Sequence, residues 1–366
     1  SINNPQTVYF SKSGDYENMD ANIGGTVADD DAIIYTIASN QVNAIRFMSS
    51  ARTLIIGTAG GEFVVSGGGD NNAVTPTNIM IKKQSNHGAA NVDAISVGNA
   101  TLFLQRAKRK IRELAYNFDV DGYIAPDLTI LAEHITEGNV VEMAYQEEPL
   151  AIIWCVRGDG QLIALTYQRE QEVVAWHRHI IGGSFGTGNA VVESVAVIPT
   201  EDSEYELYVV VKRTINNITR RYVEYLHTFN FTETDNTSFN YLDSQLSLSK
   251  LQTTLTAGIN AAVTTVPVAS VSGLSTAGKI KIGGEIIAYT GISTLNLTGC
   301  TRGQNSTTAV AHLSGAVTKE VVNTISGLDH LEGQTVSILA DGATHPTKVV
   351  DANGAITLDR FSTDVK

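Results

Sequence analysis

Little in this chain announces chemistry. Among its 366 residues there are only two cysteines, Cys155 and Cys300, far apart and without metal-ligand spacing, which argues against a disulfide framework. Cys155 stands in the apolar run Ile152-Ile153-Trp154-Cys155-Val156 and reads as a small buried side chain. Cations are scarce: 25 Lys and Arg stand against 38 Asp and Glu, a net charge of −13. No basic cluster is longer than Lys108-Arg109-Lys110. Tight binding of nucleic acid needs clustered cations to release counterions, so this chain is a poor DNA-gripping protein. An acidic surface beside DNA repels it, which suits a conduit. No run of 18 or more apolar residues occurs, and Ser1-Ile2-Asn3-Asn4 is not the opening of a signal peptide. A soluble chain with no membrane anchor is expected. Because it opens without Met and in mid-pattern, a piece of something longer is expected too.

What is present is repetition. The phrases Asn43-Ala44-Ile45-Arg46-Phe47, Asp93-Ala94-Ile95-Ser96-Val97, Val141-Glu142-Met143-Ala144-Tyr145 and Glu193-Ser194-Val195-Ala196-Val197 recur at a spacing of about 50 residues, the size of one four-stranded propeller blade. Each is followed by an apolar strand, a polar turn and a second strand. Leu54-Ile55-Ile56 and Phe63-Val64-Val65 flank Thr58-Ala59-Gly60-Gly61. Ile152-Ile153-Trp154 and Leu162-Ile163-Ala164-Leu165 flank Arg157-Gly158-Asp159-Gly160. This is hairpin chemistry. The apolar runs are continuous rather than alternating, as strands covered on both faces require. Outer strands are expected at Ile79-Met80-Ile81 and Val173-Val174-Ala175-Trp176, and Val8-Tyr9-Phe10 with Ala32-Ile33-Ile34-Tyr35 belong to a further blade. No 12-residue window carries a clean helical period. With 43% hydrophobic residues, 17% charged residues and 32 glycines, the expected fold class is all-β: a β-propeller-like domain over 1–248, a small β module over 249–319, where Thr, Ser, Gly and Ala dominate, and a C-terminal β hairpin segment over 320–366.

Candidate chemistry is thin. Asp119-Val120-Asp121-Gly122 resembles the start of a calcium loop, but the later ligands, above all a bidentate Glu, do not follow; an Asp-Gly turn is the simpler reading. Asp29-Asp30-Asp31 is a concentrated negative charge that reads as solvated. His177 and His179 follow Trp176 on a strand and share a face; they pair as zinc ligands do, yet no third ligand is identifiable. Glu170 and Glu172 are read as sharing a strand face, where parallel carboxylates do not flank a sugar as a glycosidase pair must. Gly182-Gly183-Ser184-Phe185-Gly186-Thr187-Gly188 lacks the Lys-Ser/Thr of a phosphate loop, and no Gly-x-Ser-x-Gly elbow occurs. Trp154 and Trp176 suit a sugar groove or the packing of blade on blade. No catalytic, cofactor-binding or metal residue is assigned, no cofactor is expected, and the chain is read as not an enzyme.

Longer phrases carry a resemblance. Ser11-Lys12-Ser13-Gly14-Asp15-Tyr16-Glu17-Asn18, the stretch from Tyr35 to Arg46, Leu54-Ile55-Ile56-Gly57-Thr58-Ala59-Gly60-Gly61-Glu62, Glu113-Leu114-Ala115-Tyr116 and Tyr123-Ile124-Ala125-Pro126-Asp127-Leu128-Thr129 occur in order. Over roughly residues 5–245 the chain resembles the nozzle or hub proteins of short-tailed bacteriophages and prophages, also called tail tubular protein B or DNA-stabilisation proteins. The segment from Ile280 to Gly291, with Leu297-Thr298-Gly299-Cys300-Thr301-Arg302-Gly303 and Ala311-His312, is similar to a small β module inserted in phage structural proteins. That module is sometimes named after ubiquitin-activating enzymes; Cys300, in what reads as a turn, gives no support to that chemistry. Gly327-Leu328-Asp329-His330-Leu331-Glu332-Gly333 recurs in the same phage proteins. The resemblance implies a virion structural protein, made in the host cytoplasm and built into the tail. It further implies a homo-oligomeric ring, usually of six copies, among other tail and portal-adaptor proteins, through which DNA passes during ejection. The reading from a different class is a host-surface glycan-binding or carbohydrate-active propeller.

Overall fold

The computed structural model of the protein describes residues 3–22, 24–38, 43–50, 53–68, 72–201, 204–227 and 244–366. Ser1, Ile2 and Ser39 to Val42, which fall in the phrases above, lie outside the described residues. The expected all-β class is what is found. Nearly all regular structure is antiparallel strand, broken among the described residues by 3-10 turns at Arg169–Gln171 and Asp329–Leu331. No described helix is long and apolar enough to cross a membrane.

The chain divides into two compact units, residues 1–212 with 221–226, and residues 213–220 with 227–366. In the first unit each recurring phrase becomes the opening strand of a meander. Ile45–Ser50, Leu54–Thr58, Gly61–Ser66 and Met80–Ser85 pair in chain order as the first meander. Ile95–Val97, Ala100–Leu104, Ile111–Asn117 and Gly122–Ile124 form the second, and Val140–Gln146, Ile152–Arg157, Leu162–Gln168 and Val173–His179 the third. The fourth has three strands among the described residues, Val191–Pro199, Tyr205–Ile215 and Ile218–Leu226. Thr7–Phe10 pairs with Ile33–Thr36 ahead of them.

The middle strands are buried along their length, as in Leu54–Thr58, Ala100–Leu104 and Ile152–Arg157. The reason is stacking: each meander lays one face on the previous meander and the other on the next. Phe47, Ile55 and Val64 pack on Phe103 and Leu114 between the first and second. Leu102, Leu104 and Ile111 meet Ile153, Cys155, Ile163 and Leu165 between the second and third. Trp154, Val156 and Leu162 meet Val192, Leu207, Val209 and Val211 between the third and fourth. Val8 and Ile37 cover Ile56, Phe63 and Val65 at the start. Each such aliphatic side chain contributes about 1.5–3 kcal/mol on full burial, so the stack is held by its faces. No closed sheet is seen: among the described residues, none of these clusters joins the fourth meander to the first.

In the second unit, Gln252–Thr254, Val317–Ile325, Gly278–Ile282, Glu285–Tyr289 and Thr301–Gln304 hydrogen-bond in that order. Ile259, Val266, Ile280, Ile287, Tyr289 and Leu297 form its core. A second core gathers Ile325, Leu328, Ile338, Ala340, Ile356 and Leu358. Val317–Ile325 serves both: Lys319 pairs with Lys281 in its first half and Ile325 with Ile356 in its last turn of pairing. The 319/320 junction expected from composition therefore falls inside one strand.

Candidate functional site

The meanders of the first unit run in register, which gives their turns two ends. Where first strands hand over to second strands and third to fourth, Arg169 Nη1 donates to Asn99 Oδ1 at 2.7 Å, Arg169 Nε lies 2.6 Å from Glu113, and the Tyr205 amide donates to the Glu148 carbonyl at 3.2 Å. At the other end lie the turns between second and third strands. There the Val140 amide donates to the Lys108 carbonyl at 2.7 Å, and the Val192 amide to the Gly160 carbonyl at 2.8 Å.

The two ends differ in charge. The first displays Asp119, Asp121, Glu147, Glu148, Glu170 and Glu172, all exposed, with Arg169 among them. The opposite end carries Arg106, Lys108, Arg109 and Arg178. Its acids Asp127 and Glu133 are engaged by Lys110 at 2.8 and 3.0 Å, and Asp159 by Arg157 at 2.5 Å; Asp93 and Glu137 are exposed at the same end. On the opening strands the acids are already matched. Glu142 accepts from the Ser194 hydroxyl at 2.9 Å. Glu193 lies 2.6 Å from Arg221 and 2.8 Å from Lys212, and these cations bring its carboxyl down to about 2. Uncompensated negative charge thus collects at the turns, not along the opening strands.

The residues singled out from sequence separate into distinct places. Asp119 and Asp121 form a turn: the Asp119 amide donates to Asn117 Oδ1 at 2.9 Å, and the Asp121 carboxylate accepts from the Tyr116 hydroxyl at 2.6 Å. The run 29–31 is not a solvated block. Asp31 is buried, takes the Ala28 amide at 2.8 Å and pairs with Lys12 at 2.8 Å, and these two hold its carboxyl below the usual range. Asp29 accepts from the Thr77 hydroxyl. Glu170 and Glu172 do not share a strand: the first is in the Arg169–Gln171 3-10 turn, and the second follows it with φ of 56°. A reversal needing a left-handed residue replaced the expected strand there.

His177 and His179 do share a face, on the Val173–His179 strand. His177 Nδ1 and His179 Nε2 are 2.7 Å apart, and His177 Nε2 is 3.1 Å from the Thr166 hydroxyl. Both rings lie against Trp154, with centroids at 6.2 and 4.9 Å. Burial pushes His177 below the usual imidazole range. Among the described residues no group of three or more His, Cys, Asp or Glu gathers in metal-binding geometry. His179 lines a cleft of about 380 Å³ with Asp159, Gln161, Phe185 and Asn189. The glycine-rich 182–188 stretch is a small hairpin of Ser184–Phe185 and Gly188–Asn189 at that cleft.

Both indoles are engaged inside the stack. Trp154 Nε1 donates to Gln146 Oε1, and Trp176 Nε1 to the Leu128 carbonyl, each at 2.8 Å. Cys155 and Cys300 are buried free thiols, both raised by burial; Cys300, in the turn between Asn296–Thr298 and Thr301–Gln304, packs into the core of the second unit.

Sequence reasoning missed several buried carboxylates, Glu285 and Glu62 among them. Glu285 accepts from Arg302 Nε and Nη2 at 2.8 and 2.7 Å, from the Gly303 and Val310 amides at 3.0 and 3.2 Å, and meets His312 Nε2 at 2.8 Å. Burial pushes its carboxyl up, but Arg302, His312 and the amides outweigh it and bring it down to about 2. This node fastens the 300–312 loop to Glu285–Tyr289. The signal was three ionisable residues in a stretch otherwise rich in Thr, Gly and Ala. Glu62, in the first meander, accepts from the Ser85 hydroxyl, and its Oε1 has no hydrogen-bond partner.

No family model matches the chain, and no curated protein matches it. Among solved structures, an auxiliary nutrient binding protein from Bacteroides thetaiotaomicron is similar at a TM-score of 0.31 and 8% identity, over 53% of this chain and 49% of that one. The chain spans about half the length of that protein.

Proposed function

We propose that this chain is a non-catalytic structural component of a bacteriophage tail, of the nozzle or hub class, whose copies assemble as a ring around the path of the DNA. The observation that carries the reading is the file of meanders packed face to face. Residues placed between blades are spent on apolar contact, and both tryptophan indoles are held inside the stack. Such a stack makes a stiff wall, because close-packed faces transmit load without rearranging.

The charge distribution supports a conduit. A rim of carboxylates at one end of the stack keeps phosphate backbones from settling on it, since a surface of like charge raises the local potential against the polyanion. The cations that counterion release would require are not gathered into a groove. Ring formation adds the rims of neighbouring copies to one another.

Negative-stain microscopy of the purified chain tests the reading. Annular particles with a central channel and several-fold symmetry are expected. Uniform particles with no annulus over the concentration range of the measurement would overturn it.

A further inference from the structure

The second unit holds a cleft of about 640 Å³, within the roughly 300–1,000 Å³ of small-molecule sites. One wall is the sheet of Gly278–Ile282, Glu285–Tyr289 and Thr301–Gln304, which presents Lys281, Ile286 and the Asn305-Ser306 turn. The other is built by Thr335–Ala340, Ala343–Val349 and Ile356–Ser362, with Asp341, Asp359, Arg360 and Phe361 at the cleft. Lys279 ties the walls together: its Nζ donates to Asn305 Oδ1 at 2.8 Å and lies 4.3 Å from the centre of the Phe361 ring.

The first wall carries polar groups that the chain itself does not use. Lys281 stands opposite Lys319 in the strand register, and like charges on facing positions repel. Among the described residues no acid lies within ion-pair distance of either lysine. Asn305 and Ser306 are successive non-glycine residues in the left-handed region, with φ of 53° and 64°. Glycine would relieve that strain, and strained residues with polar side chains gather at binding sites. Among the described residues, the Asn305 side-chain nitrogen and the Ser306 hydroxyl have no hydrogen-bond partner. The second wall is largely engaged. Asp359 pairs with Lys348 at 2.5 Å, and Arg360 Nη2 donates to the Ala340 and Ala343 carbonyls at 2.6 and 3.2 Å. Asp341 Oδ1 takes the Thr363 and Asp364 amides at 2.9 and 3.0 Å, which leaves Oδ2 to spare.

We propose that this cleft binds an acidic sugar, with the sugar carboxylate on Lys281 and its hydroxyls shared between the Asn305-Ser306 turn and Asp341. A hydroxyl both donates and accepts, so one ring meets the donors of the first wall and the spare oxygen of the second. Phosphate presents acceptors almost throughout, gains nothing from Asp341 and is repelled by it. A cationic ligand is disfavoured, because Lys348 already holds the charge of Asp359. Ile286 and Phe361 supply the apolar floor that such a ring needs beneath its C–H face. The site goes beyond the conduit reading and does not rest on it, since every residue named here belongs to the second unit.

Isothermal titration of the full chain with short oligomers of galacturonate, glucuronate and mannuronate tests the proposal at physiological salt. At least one of the three should bind, and the neutral oligomer of the matching hexose should bind about tenfold more weakly, as expected on losing a charged hydrogen bond. Lys281→Ala should cost about the same factor. Asn305→Gly, which eases the backbone while removing the side chain, should weaken binding severalfold. Lys108→Ala, in the first unit, should leave it unaltered, which separates the cleft from general attraction of a polyanion. Far-ultraviolet circular dichroism matching the parent verifies the fold of each variant. Binding by none of the three acidic oligomers overturns the proposal. So does binding that Lys281→Ala retains in full, or inorganic phosphate that occupies the site as tightly as the acidic sugar.

Discussion

Glu285 and Arg302 face each other through two hydrogen bonds of 2.8 and 2.7 Å inside the second unit, with the carboxylate fully buried. An ion pair removed from water this completely is costly to break from one side, because the remaining charge keeps its burial and loses its partner. Arg302→Ala should therefore cost about 3–5 kcal/mol, felt within Gly278–Ile282 and Glu285–Tyr289. Hydrogen exchange should accelerate in those strands and remain slow in the third meander. Equal acceleration throughout would contradict this.

The same carboxylate predicts an acid response. Its folded value of about 2 lies below the ordinary 4.5, so its stabilising contribution is fully present above about 4.5 and is lost as pH falls from there toward about 2. Acid unfolding of the parent should show a component in that window, and Glu285→Gln should lack it. Near-ultraviolet circular dichroism, which reports on the buried Tyr289, can follow it.

Glu62 should behave in the opposite sense. Burial raises its carboxyl, while the Ser85 hydroxyl and the His87 and Gly88 amides act against the rise without cancelling it. A folded value above the unfolded one means that stability declines as pH climbs past about 4.5 toward the folded value. Glu62→Gln, which carries no charge to bury, should raise the melting temperature at pH 7 and flatten its dependence on pH. A lower melting temperature at pH 7 would show that the charged form is favoured.

Gly88 has φ of +72°, and a Cβ there would lie 2.4 Å from the Ala59 carbonyl oxygen. Backbone cannot yield as a side chain does, and left-handed strain adds to the collision. Gly88→Ala should cost roughly 1–3 kcal/mol, measurable by urea denaturation, whereas Gly98→Ala, with open space around its Cβ, should cost less.

Cys155 and Cys300 are buried with raised thiols, and the thiolate is the reactive form. A disulfide exchange reagent should find no fast-reacting thiol in the native protein and both after unfolding. Rapid native labelling at either position would show that its cover opens.

The repeated phrases were legible because they are local: opener, apolar strand, polar turn and second strand are each set by residues within one blade length. Continuous apolar runs such as Ile152–Val156 predicted burial on both faces, and the stacking of meanders satisfies that. Acidic runs misled for the same reason. Asp29, Asp30 and Asp31 look alike in sequence, yet Asp31 alone is buried on Lys12, because the loop folds back by a path that no neighbouring residue dictates. Glu170 and Glu172 were placed on a strand by spacing, while the Arg169–Gln171 3-10 turn, closed by Glu172 in the left-handed region, turned the chain there.

The sequence by itself determined the all-β class, the period of the meanders and the burial of Cys155, since apolar pattern and turn chemistry act over a few residues. Only tertiary structure decided that Glu147 and Asp119 stand at one end while Arg106 and Lys108 stand at the other, and that Glu285, Arg302 and His312 converge. Those relations depend on which strand ends come side by side when faces are buried, and charge spacing along the chain carries no record of that.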